Sequence, residues 1–165
     1  MKKSVLKVQM FGTYSIEYEG NPVSFERNTT TKTNQLMQIL LQAGEKGVTR
    51  AKLLSDLFGN EEMSNPANSL RATVFRLRRL LAAAGLPEDE YVTIRGGSYY
   101  WTSGIPYELD AHRFEDLLDK AGKENDPEKK KSYIEEACEL YRGEFLPQLG
   151  AEGWAVVLNL SLIHI

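Results

Sequence analysis

The stretch from residue 65 to residue 101, "NPANSLRATVFRLRRLLAAAGLPEDEYVTIRGGSYYW", constrains the fold more than any other part of this chain. Asn65 is of the type that accepts hydrogen bonds from the orphan donors of a first helical turn, and Pro66 follows where a missing N–H costs nothing. Gly85-Leu86-Pro87 supplies the stop, so a helix is predicted over 66–84. At about 100° per residue, Leu70, Val74, Leu77 and Leu81 form one apolar stripe. Asn68, Arg71, Ala72, Phe75 and Arg79 lie opposite it, flanked by Arg76 and Arg78. Next, "YVTIRGGSYYWT" places β-branched and aromatic runs on both sides of Gly96-Gly97, the signature of a hairpin whose turn needs positive φ.

The preceding segments set this helix and hairpin in a larger unit. "VLKVQMFGTYSIEYEGNPVSF" alternates apolar and polar residues and is broken at Gly12-Thr13 and Gly20-Asn21-Pro22, predicting a small antiparallel sheet of about three strands. From Lys32 the period becomes helical, with Leu36, Ile39, Leu40 and Ala43 ahead of a stop at Gly44. A short second helix runs from Thr49, as N-cap, through Ala51, Leu53, Leu54, Leu57 and Phe58 to Gly59. After the hairpin the pattern is helical throughout. Leu109, Phe114, Leu117, Leu118 and Ala121 mark one helix, and Asp126-Pro127 opens its partner, with Ile134, Ala137, Cys138, Tyr141, Phe145 and Leu146 on the expected buried face. A third helix begins at Trp154.

Charge is distributed unevenly. The net charge of −3 divides into +3 over residues 1–104 and −6 over 105–165, which points to two modules with different partners. The helix at 66–84 holds four arginines and no acidic residue, a composition that repels itself unless something anionic lies opposite. The bland alternative is a solvated basic face.

Other function classes find little support. The single cysteine, Cys138, has no partner for a disulfide or zinc site and is expected in a helix core. His112 and His164 stand in no catalytic or metal pattern, and no cofactor motif is present, so a non-enzymatic chain without a cofactor is expected. The longest apolar stretch, "WAVVLNLSLIHI", is interrupted by Asn159, Ser161 and His164 and is short of the ~20 residues of a membrane span, so a buried helix is expected there. The N-terminus lacks a signal-peptide pattern, which reads as a cytoplasmic chain with no membrane partner.

Sheet, three helices and hairpin, in this order, with the long loop "GNEEMSNP" and the strings "SLRATVFRLRRLL" and "YVTIRGGSYYW", resemble the OmpR/PhoB-type winged helix-turn-helix. More narrowly, the chain resembles the SARP-like (antibiotic regulatory protein) transcriptional activators, in which that domain is followed by a helical, tetratricopeptide-like bacterial transcriptional activator domain. The implied fold class is α+β: a winged helix with an N-terminal antiparallel sheet and a C-terminal hairpin wing over 1–104, then an all-α segment over 105–165. The string Tyr141-Arg142-Gly143-Glu144-Phe145-Leu146 resembles the family's helix-ending motif. The family's activator domain is longer than the segment 105–165, and "SLIHI" does not resemble its continuation, so an incomplete domain is expected. Such a fragment should lean on the winged helix or expose an apolar patch.

The resemblance implies a regulator, in the activator sense, that binds double-stranded promoter DNA through the third helix and the wing. Arg71 and Arg79 are the candidates for the groove, because a guanidinium fork can bond two acceptors of guanine at once. Asn68 suits adenine or phosphate, Arg76 either role, and Arg78 the DNA backbone or a partner within the protein. Phe75 either meets thymine methyls or packs under the wing. Arg95 at the wing turn is placed for a minor-groove edge or phosphate, with Ser98 and Tyr99 as phosphate donors; Tyr100 and Trp101 are expected to cover the helices. Thr30, Thr31 and Lys32 either hold a phosphate at the first helix N-terminus or form an ordinary cap. By the same resemblance, the loop carrying Glu61 and Glu62 is a contact for RNA polymerase, and copies of the chain assemble as a homo-oligomer on direct repeats. A protein-interaction module with the winged helix as scaffold, and an RNA-binding winged helix, are the alternatives.

Overall fold

The computed structural model describes residues 5–12, 14–23, 31–59, 65–102, 104–141, 143, 146, 154 and 155. Along the chain come β1 (Leu6–Gln9), β2 (Ser15–Tyr18), β3 (Asn21–Pro22), α1 (Lys32–Ala43), β4 (Val48–Thr49), α2 (Arg50–Phe58), α3 (Pro66–Ala83), β5 (Val92–Arg95), β6 (Ser98–Trp101), β7 (Tyr107–Leu109), α4 (Asp110–Lys123) and α5 (Pro127–Leu140). They form two compact units: Met1–Ser4 with Tyr18–Pro106, and Val5–Glu17 with Tyr107–Ile165. Segments adjacent in sequence are therefore not always neighbours in space. The strands between Val5 and Glu17, which sequence order places with the winged helix, fall in the second unit.

The helix caps of the first unit follow from short polar side chains at the starts. Thr31 accepts from the Asn34 N–H at 3.2 Å, Thr49 from Lys52 N–H at 3.2 Å, and Asn65 from Asn68 N–H at 3.2 Å. Leu36, Met37, Leu40, Leu41, Leu53, Leu57, Leu70, Leu77 and Leu81 are buried. Every residue from Thr33 to Leu41 is buried, so α1 is covered all round, its polar Asn34, Gln35 and Gln38 included. In α2, Ala51 is exposed instead of joining the apolar face expected for it.

β5 and β6 make the hairpin, in the register Val92↔Trp101, Thr93↔Tyr100, Ile94↔Tyr99 and Arg95↔Ser98. Gly96 and Gly97 have φ of 56° and 79°, the two consecutive positive values of a tight hairpin turn whose twist matches its strands. The two-residue β4 adds a third strand, pairing Val48 with Tyr99 and Thr49 with Ser98. Tyr91, just before β5, is buried and donates its hydroxyl to the Pro87 carbonyl. Burial, with smaller contributions from Asp89 and Tyr18, raises its pKa above the ordinary 10.0. The unfolded chain ionises this phenol first, so its contribution to stability is complete below pH 10.0 and is lost as the pH rises through the higher native value. Tyr91→Phe is expected to flatten the alkaline loss of stability, read from urea midpoints between about pH 8 and 11.

In the second unit β1 lies between β2 and β7. β1 and β7 are parallel, pairing Leu6 with Tyr107, Lys7 with Glu108 and Val8 with Leu109. The sheet is thus not the purely antiparallel one expected, because a parallel pair needs a long crossover and the one here spans most of the first unit. Asp110, at the start of α4, anchors the end of this pairing: its Oδ1 accepts from Met10 N–H at 2.8 Å and its Oδ2 from Phe11 N–H at 3.0 Å. The Phe11 ring lies 5.3 Å from that of Phe114 and 5.1 Å from that of Tyr141. α5 opens on Asp126, which accepts from Glu128 N–H at 3.0 Å, and Trp154 and Ala155 are helical and buried.

The α5 face expected to be buried is only partly so. Ala137 and Leu146 are buried, whereas Ile134 is 41% exposed, Tyr141 is 37% exposed and Cys138 is exposed rather than packed. Helical periodicity marks a face that can be covered; here Tyr141 meets the Phe11 and Phe114 rings, while Ile134 and Cys138 stay exposed. Phe145 and His164 lie outside the described residues. Among the described residues no helix is long and apolar enough to cross a membrane.

Candidate nucleic-acid interface

The 18 residues of α3 extend about 27 Å. Its inward stripe of Leu70, Val74, Leu77 and Leu81 is buried, and this alone fixes which side chains face out. Asn68, Arg71, Phe75, Arg76, Arg78 and Arg79 are all exposed. The face carries no carboxylate, since residues 66–83 contain none.

The arginines differ in their surroundings. Arg78 donates to the Val92 carbonyl at 3.0 Å, tying α3 to the first strand of the wing, so of its two expected roles the internal one is present. Arg79 stands over the Phe75 ring, 5.9 Å from its centroid. Phe75 is 62% exposed, which removes the expectation that it packs under the wing. Its ring instead offers an apolar surface with a cation on one side, a contact worth about 0.5–1 kcal/mol at an exposed site.

On the wing, alternation decides the outcome: Trp101 is covered as expected, but Tyr99 and Tyr100 exchange the places read from sequence. Tyr99 and Trp101 point inward and are buried, 5% and 7% exposed, while Tyr100 between them faces the other way and is half-buried. Tyr99 is therefore a core residue and not the surface phosphate donor expected of it. Ser98 is half-buried beside the turn, and Arg95 is exposed, with its guanidinium 4.9 Å from the centroid of the Tyr100 ring.

At the N-terminus of α1, Thr31 is spent as the cap. Lys32 extends to the far end of α2, donating to the Leu57 carbonyl and lying 5.7 Å over the Phe58 ring. Both residues thus take the structural alternative: Lys32 neutralises an orphan carbonyl at a helix C-terminus instead of presenting its charge to a phosphate. Thr30, Glu61 and Glu62 lie outside the described residues.

Arg50 is a residue that sequence reasoning missed. It is exposed at the start of α2, and its backbone N–H donates to the Gly97 carbonyl at 3.0 Å, which sets it beside the wing turn. Only the pairing of β4 with β6 brings it there, and no local pattern announces a two-residue strand. The asymmetry of the unit is plain: one basic helix face and one basic turn, both exposed, above a single leucine-rich core.

Residues 26–101 match the family described as transcriptional regulatory protein, C terminal. Protein RcaC of Microchaete diplosiphon is 34% identical over 88 residues, which are 53% of this chain and 13% of that protein. Mycobacterium tuberculosis EmbR, solved in complex with a low affinity phosphopeptide, aligns with a TM-score of 0.72 at 19% identity, over 99% of this chain and 42% of its own. The chain spans less than half the length of both relatives. Residues 26–101 are accordingly similar to the C-terminal domain of transcriptional regulatory proteins, and the chain shares its fold with EmbR over nearly its whole length.

Proposed function

We propose that this chain is a transcription regulator, in the activator sense, that binds double-stranded promoter DNA through α3 and the β5–β6 wing. The observation that carries the reading is the outer face of α3: Asn68, Arg71, Phe75, Arg76 and Arg79 are exposed together on a helix without a single carboxylate. A major groove about 12 Å wide admits such a helix, and arginine is the side chain best fitted to a guanine edge. In this reading residues 1–104 supply the DNA contacts and 105–165 begin the activator domain. Glu61 and Glu62 face RNA polymerase, and copies of the chain meet on direct repeats. Exposure of Ile134 and Cys138 on α5, and of Tyr141 just after it, favours protein contacts as a second role of the helical part.

A mobility-shift series in two salt concentrations tests the proposal. Arg71→Ala or Arg79→Ala, where the side chain reads a base, is expected to cost about 1–3 kcal/mol on a selected promoter duplex and little on non-specific DNA. Arg95→Ala is expected to weaken all duplexes alike and to lower the log–log salt slope by about 0.9, the mark of a lost phosphate contact. Binding by all three variants within twofold of the parent would reduce the basic face to a solvated one.

A further inference from the structure

We infer that Tyr100 is a positioning residue of the wing: its ring, seated on Gly47, holds the Arg95 guanidinium ready for a nucleic-acid phosphate. This rests on the DNA-binding reading above and adds to it a residue that makes no contact of its own with the ligand.

Three observations converge on the arrangement. Arg95 lies over the Tyr100 ring at 4.9 Å, within the range where the negative face of an aromatic ring attracts a cation. Against the ring lies Gly47, at φ +68°, where an added Cβ would fall 2.4 Å from the ring carbon Cε1, so the ring occupies the space that any side chain at 47 would need. The wing itself is pinned, by the pairing of β4 with β6 and by the bond from Arg50 N–H to the Gly97 carbonyl. The Tyr100 ring thus meets both the Gly47 backbone and the exposed Arg95 charge. An arginine on a hairpin tip without such support samples many rotamers, and binding must then order it. Here most of that ordering is built in before the ligand arrives.

Tyr100→Leu keeps an apolar, half-buried side chain and removes the ring, and Tyr100→Phe keeps the ring. With the full chain and a promoter duplex, Tyr100→Leu is expected to weaken binding about two- to fivefold, on specific and non-specific DNA alike. Tyr100→Phe should stay close to the parent, and the double variant Arg95→Ala/Tyr100→Leu should bind no more weakly than Arg95→Ala alone, since the ring acts only through the arginine. In the DNA-free parent, the Arg95 Hδ resonances should be shifted upfield by the ring. Absence of that shift, or additive losses in the double variant, or parent-like binding by Tyr100→Leu, overturns the positioning role while leaving DNA binding in place. Failure of the parent to bind any duplex overturns the DNA-binding reading, and this one with it.

Discussion

Asp110→Ala is expected to lower the stability of the chain by about 3–5 kcal/mol, a fall in Tm on the order of 10 °C. The carboxylate takes hydrogen bonds from Met10 N–H and Phe11 N–H, in two residues that are 0% exposed, and a third from Ala111 N–H at 2.8 Å. Alanine leaves buried donors with no partner, at about 1–3 kcal/mol for each, whereas water satisfies them in the unfolded chain. Asp110→Asn keeps one acceptor oxygen and turns an NH2 group toward a remaining donor, so it should fall between parent and alanine. Calorimetric melts of the three proteins decide it, and a loss under about 1 kcal/mol for the alanine variant would mean that the cap is dispensable.

The second large effect separates the two faces of α3. Leu77, 1% exposed in the leucine stripe, should cost about 2–5 kcal/mol on truncation to alanine, from lost transfer energy and the cavity left behind. On the opposite face, Arg71→Ala, Arg76→Ala and Phe75→Ala should each change stability by no more than about 1 kcal/mol, the cation–ring contact of Phe75 with Arg79 included. The Phe75 result is the sharper one, because a core phenylalanine would cost about 3–5 kcal/mol. Urea titrations of the four variants check the contrast. A large stability loss at Arg71 or Phe75 would show that their side chains serve the fold, and any loss of DNA affinity there would need reinterpretation.

What could be read from the sequence was governed by how local each cause is. Asn65 and Pro66 start α3, Thr31, Thr49 and Asp126 cap their helices, and Gly96-Gly97 turn the wing, because each acts over three or four residues. The turn of the first hairpin slipped by one residue: positive φ falls at Glu19 and Gly20, and Asn21-Pro22 belong to a strand. β4 and β7 left no local trace, since a strand of two or three residues exists only through its partner, and the partner of β7 lies about a hundred residues away. Within the site, the helical stripe identified every outward arginine. The wing did not yield to the same reasoning, because in "SYYW" all three aromatics are equally apt for burial and only pairing with Val48 sets the phase. Lys32 and Arg50 acquire their surroundings from α2 and the Gly97 turn, which are distant in sequence from one or the other.

The parallel pairing of β1 with β7 gives the polypeptide a schedule during its synthesis. Residues 18–106 can leave the ribosome as a finished unit, while the first strands, made earliest, wait for the segment carrying Asp110, one hundred residues behind Met10. At about 5–20 residues per second that wait lasts roughly 5–20 seconds, during which β1 has an open edge available to any other nascent strand. Lys7 puts an exposed positive charge on that strand, the type of residue that keeps unpaired strands from joining the wrong neighbour. A chain halted before residue 107 would retain its basic helix and wing, and would carry a sticky leader that never finds its own strand.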